Sequence, residues 1–157
     1  MIYFYLKIFH IAAVIIFLGN IFTGLYWMHN AFKTKDLRII SYSMNGVIKS
    51  DKIFTGPGVV LITFFGLYMA FEAGYPILRT GWIFWSIILF TISGLIYGIK
   101  VAPLQKKIYK LSFDNIDNSN FNWSELVSLY RQWEYWGLAA LLTPVAATVL
   151  MTLKLPL

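Results

Sequence analysis

The sequence predicts an all-α fold: a membrane-spanning four-helix bundle, with interfacial helical segments in its two basic loops. Three observations point there. Four apolar stretches, at about residues 2–30, 53–72, 81–101 and 132–153, are each long enough to cross a hydrocarbon layer, which takes about 20 helical residues. The chain is 59% hydrophobic and only 13% charged, well below the quarter or so that is usual in soluble domains. Basic residues gather in two of the connecting stretches rather than along the apolar ones. At 157 residues the length fits one integral-membrane domain over 1–157 and no separate soluble domain.

The first stretch, Ile2 to Asn30, would run about 43 Å as a helix, enough to cross and protrude. It is too long for a cleaved signal peptide, and no small-residue cleavage site follows it. Tyr26 and Trp27 near its far end suit an interfacial aromatic belt. One ionisable side chain lies inside it, His10, on a helical face shared with Tyr3, Phe17 and Gly24. Such a group in a span faces the bundle. Three roles are open to it: a neutral imidazole hydrogen-bonded to a neighbouring helix, a haem or metal ligand, or a proton relay. Asn20 and Thr23 lie elsewhere on the wheel and read as interhelical hydrogen bonds.

The first basic loop, Ala31 to Lys52, has a helical pattern between Leu37 and Ile48, read as an interfacial helix or as the start of the second span. Thr55-Gly56-Pro57-Gly58 opens that span, where the proline removes a backbone donor and marks a kink or a helix start. Ala73-Gly74-Tyr75-Pro76 is a turn. The third span opens with Trp82 and Trp85 and carries Gly94 and Gly98 four apart, a spacing that predicts close helix packing. Leu104 to Leu111, with Lys106, Lys107 and Lys110, reads as a helix lying on the membrane, and residues 114–122 as a polar loop. Asn122 or Ser124 caps the last helix, which runs from Glu125 to about Leu153 and kinks at Pro144.

The two basic loops and the ends beside them hold Lys33, Lys35, Arg38, Lys49, Lys52, Lys100, Lys106, Lys107, Lys110 and Arg131. The positive-inside rule therefore puts both termini outside and these loops in the cytoplasm. The net charge of +6 follows from loops facing an anionic leaflet and not from nucleic-acid binding. With no cysteine, disulfides, thiolate metal sites, CxxCH haem attachment and iron–sulfur clusters are excluded.

His10 and His29, about 28 Å apart on one helix, cannot ligate one iron in a monomer. A haem with His10 as its only protein ligand, or a His/Met pair, stays open. Met69 and Met151 fall near the same end as His10, and a histidine with two methionines also suits Cu(I). Ordinary packing is the plainer account of both methionines. At the other end, Asp51 with Arg131 and Lys100 with Glu134 are expected ion pairs. No nucleophile–base pair and no carboxylate pair lies deep in a span, so no hydrolase site is assembled.

Leu6-Lys7-x-x-His10, Gly19, Ala31, Asp51-x-x-Phe54-Thr55-x-Pro57, Gly66 and Trp82 resemble a family of uncharacterised bacterial four-helix integral-membrane proteins, a domain of unknown function. That family is similar to CopD-like copper-resistance membrane domains and to HemJ-like protoporphyrinogen oxidases. The resemblance implies a bacterial inner-membrane location and makes His10 the candidate ligand for haem b or a metal. HemJ-like proteins also place a functional lysine at the start of the third helix; Trp82-Ile83-Phe84-Trp85-Ser86 has none, which counts against protoporphyrinogen oxidation.

The sequence thus predicts a membrane protein that binds haem b or a metal through His10 in a redox or metal-handling role. The alternative is a non-catalytic accessory or scaffold subunit of a larger membrane complex. Its expected partners are the lipid bilayer and either further copies of itself or other subunits.

Overall fold

Where water is absent a backbone must satisfy itself, so long apolar segments fold as helices. The computed structural model describes residues 1–118 and 120–154; Ser119, in the expected polar loop, lies outside the described residues. Helix α1 spans Ile2–Lys33. Helix α2, Leu37–Ser50, continues through a π turn at Asp51–Thr55 into α3, Gly56–Glu72. Helix α4, Gly81–Ile96, continues through a second π turn at Tyr97–Val101 into α5, Ala102–Asp114. Helix α6 spans Trp123–Leu153. Four continuous helices of 31 to 36 residues result, each apolar enough to cross a membrane. At 1.5 Å per residue they reach about 46 to 54 Å, well beyond a hydrocarbon core of about 30 Å.

The two π turns have one cause. Each is followed by a proline at the second helical position after it, Pro57 in one and Pro103 in the other. A proline has no N–H to offer the carbonyl four residues back, so the ladder steps by five instead. The Gly56 N–H bonds the Asp51 carbonyl, and the Ala102 N–H bonds the Tyr97 carbonyl. Pro57 therefore marks a π turn within one long helix, and the pattern at Leu37–Ile48 is the start of that helix.

The segment around Leu104–Leu111 is helical as expected, but it does not form a separate surface helix: it prolongs α4. Its stripe Leu104, Gln105, Ile108 and Ser112 packs against the α2 stripe Leu37, Ile40, Ser41, Met44 and Val47. Two amphipathic faces that find each other have no need of lipid. Asp36 caps α2 by accepting from the Arg38 N–H at 2.8 Å, and Asn122 caps α6 by accepting from the Ser124 N–H at 3.0 Å. Helix α3 ends at Gly74, whose φ of +68° turns the chain while the Tyr75 N–H reaches the Ala70 carbonyl at 3.0 Å.

Helices α4 and α6 pack through small residues, but not through Gly94 and Gly98. A Cβ built at either glycine would meet nothing within 4 Å. The close face is Ser86 and Ser93 against Ala140 and Ala147. Pro144 leaves the Ala140 carbonyl without its helical donor, and the Ser93 hydroxyl donates to it at 2.6 Å. The Ser86 hydroxyl donates to the Ala147 carbonyl at 3.2 Å.

Candidate functional site

Asp51 is the first residue of one π turn and Tyr97 the first of the other. Among the described residues, no Cα of the first π turn comes within 8 Å of the second or of α5. Side chains bridge that gap. The Tyr97 hydroxyl donates to Asp51 Oδ2 at 3.2 Å, and Gln105 Nε2 donates to the same oxygen at 2.8 Å. On the other side, Asn20 Nδ2 and the Thr55 hydroxyl donate to Oδ1 at 2.9 and 2.8 Å. Asn20 also donates to the Thr55 oxygen at 2.9 Å. Asn20 comes from α1, so three of the four long helices meet at one carboxylate. That carboxylate has about four acceptor sites, and four neutral donors fill them.

Asp51 is only 7% exposed and has no ion-pair partner within 4.0 Å among the described residues. The expected pairing with Arg131 does not form, because Arg131 sits on the exposed face of α6. Lys100 does not pair with Glu134 either. Its ammonium lies 5.5 Å from the centre of the Trp136 ring, while Glu134 accepts from the Tyr130 hydroxyl at 3.1 Å and faces His29 at 3.7 Å. Hydropathy placed these charges at one depth, but it carries no information on which way each helix is turned.

The carboxylate cluster forms one wall of a cavity of about 320 Å³. Phe17, Ile21, Leu25, Val47 and Phe90 make most of the rest apolar. Gly24, Gly94 and Gly137 also line it, and Gly94 stands beside open space. Phe90, Gly94, Tyr97 and Val101 all line it, at spacings of four, three and four that put them on one helical face. Trp133 also lines it. Trp133 is 2% exposed, and its indole N–H is buried without an acceptor. An unmet buried donor costs about 1–3 kcal/mol. The cavity thus joins an apolar body and a saturated anion.

A family model described as "Predicted integral membrane protein (DUF2269)" matches residues 4–155. The chain belongs to that family. The match takes in every residue of the Asp51 cluster and of the cavity wall. Comparison with curated proteins gave no match, and neither did comparison with solved structures.

In this DUF2269 chain His10 lies outside the cavity wall, packed against α3. Its Nδ1 is 3.0 Å from the Ile62 carbonyl, which can only accept, so Nδ1 carries the proton. Gly66 makes room for the ring: a Cβ there would lie 3.0 Å from His10 Cε1. The face His10, Phe17 and Gly24 meets neighbouring elements as the wheel predicts, Phe17 against Gly58 and Gly24 against Val47. Met69 is on α3 and Met151 on α6, both half-buried. Helix α1 touches both of those helices, but among the described residues α3 and α6 have no Cα atoms within 8 Å of each other. Met69 and Met151 are therefore not joined by a helix contact. Among the described residues, no three of His, Asp and Glu cluster at metal-binding spacing.

Asn20 was legible as an interhelical hydrogen bond. Thr55, Tyr97, Gln105 and Trp133 were not legible as a site. One signal was available: Asp51 and Tyr97 each stand six residues before a proline, with Gly56 or Ala102 between.

Proposed function

We propose that this integral membrane protein is a binding protein whose site is the cavity beside Asp51. Its ligand is a small, mostly apolar molecule. The supporting observation is the cavity itself, walled by apolar side chains and by a carboxylate that is already satisfied. The volume sits at the low end of the 300–1,000 Å³ or so usual for small-molecule sites. The positive-inside rule, applied to the basic loops, puts both termini on the outer face of a bacterial inner membrane.

The test uses decylbenzoquinone, a bilayer-soluble carbonyl compound that quenches indole fluorescence, on protein in nanodiscs. Wild type shows a saturable quenching component. Gly94→Leu, which projects into open space on the cavity-lining face of α4, loses that component, and Trp133→Phe weakens it. Equal saturable quenching in wild type and Gly94→Leu would falsify the reading.

A second reading rests on His10. A ligating histidine usually donates its other ring N–H to a carbonyl or carboxylate, and the Nδ1–Ile62 bond leaves Nε2 free in that way. His10 would hold the group as a protein ligand, in line with the resemblance to HemJ-like and CopD-like proteins, and Met69 and Met151 are the further ligands proposed for a metal. A haem b bound there would supply one-electron chemistry, and the chain would contribute a neutral imidazole held by α3. A Soret band lost in His10→Ala supports this reading; a featureless spectrum from protein made with ample haem removes it.

A further inference from the structure

The cavity is open on one side, and that side is the slot between α3 and α4. Among the described residues, α3 has no Cα within 8 Å of α4, whereas α1 packs along α3 and α4 packs along α6. Val59 and Thr63 of α3 line the cavity from one edge of the slot, and Thr91 and Leu95 of α4 from the other. Thr63, Thr91 and Leu95 are also exposed at the surface. The edges of the opening are therefore walls of the cavity as well.

The rim is suited to hydrocarbon and not to water. Each rim threonine has spent its hydroxyl on its own helix: Thr63 donates to the Val59 carbonyl and Thr91 to the Ile87 carbonyl, both at 2.8 Å. A hydroxyl satisfied within its helix presents its methyl and costs little in a bilayer. The surface on either side is apolar and exposed, with Val60 and Phe64 on α3 and Ile92 and Leu95 on α4. The continuous helices to which α3 and α4 belong are long and apolar enough to cross the membrane. An opening in this position faces lipid tails.

We infer that the slot between α3 and α4 is a lateral portal, through which a lipid-soluble molecule enters the Asp51 cavity from the bilayer. Its head occupies the cavity and its alkyl tail lies in the slot. This inference rests on the cavity being the binding site, and it names where the ligand comes from and the class to which it belongs: a lipid-soluble molecule with a hydrocarbon tail. No covalent or redox step is involved.

The chain contains no cysteine, so Thr63→Cys or Thr91→Cys introduces a single thiol. Both positions are exposed and the exchange is small, so folding is kept. In nanodiscs, pyrene maleimide, which dissolves in the bilayer, labels either thiol, and a charged sulfonated maleimide does not. Stopped-flow quenching by decylbenzoquinone then reports binding and release. Each labelled variant is compared with the same variant unlabelled, and the bulky label slows association and dissociation by about tenfold or more. Unchanged rates in fully labelled protein overturn the portal while leaving the cavity in place. Preferential labelling by the charged reagent overturns it as well, by making the slot aqueous. Loss of the saturable component in Gly94→Leu keeps the two ideas separate: if that component survives there, the cavity itself is the wrong site, and the portal falls with it.

Discussion

At the end of the bundle that carries the basic loops, Met28, Ile40, Met44, Ile108 and Leu126 are completely shut off, in one cluster drawn from α1, α2, α5 and α6. At the end that carries the termini, the buried cluster is Ala13, Phe17 and Ile62 with Phe90 of α4 packed against it, and the closest helix contacts are α1 with α3 and α4 with α6. The π turns divide the two regimes. On the basic side the helices are amphipathic, with lysines outward, and the hydrophobic effect drives apolar stripes together. On the other side the outward surface is as apolar as the inward one, so that drive is weak and small residues with interhelical hydrogen bonds do the joining. The cavity sits at the boundary, where tight packing at one end holds the helices and nothing forces them shut beyond it.

The largest effect expected is at the joint itself. Asp51→Leu leaves the donors of Asn20, Thr55, Tyr97 and Gln105 without their common acceptor and should lower stability by about 3–5 kcal/mol. Thermal unfolding in detergent reads this, and a loss under about 1 kcal/mol would mean that the cluster does not tie the two halves together.

The next pair sharpens the comparison directly. Ile108→Ala, in the basic half, should cost about 2–5 kcal/mol, since it loses both transfer energy and packing. Ile62→Ala, in the span half and 8% exposed, should cost about 1–2 kcal/mol, because lipid solvates what packing releases. Equal costs would erase the proposed difference between the halves. Smallest is Ser93→Ala, which frees the Ala140 carbonyl that Pro144 has already deprived of its helical donor. About 0.6–1.7 kcal/mol is expected, and a Pro144→Ala background should remove most of it.

Much of the fold is legible in the sequence, because hydropathy and period are local. The four helices, the Gly74 turn, the Asn122 cap and the inward face of His10 and Phe17 all follow from runs and spacings a few residues long. The facing of charged groups is not legible. A π turn inserts one residue into the ladder and rotates everything after it by about 100° relative to a regular wheel. Asp51 and Lys100 both lie inside such turns, so the charge partners read from depth alone were the wrong ones. Gly94 misled for a related reason: a small residue marks either a close contact or a space, and the spacing alone does not say which. The Asp51 site needed side chains from three helices, at sequence separations of 31 to 54 residues, that no local pattern links.

The most direct test of the central claim is a native mass spectrum of the protein released from nanodiscs made with its own membrane lipids. The account predicts that wild-type protein carries one bound small molecule per chain and that Gly94→Leu, with the cavity filled, carries none. The same adduct at the same occupancy in both proteins would contradict it.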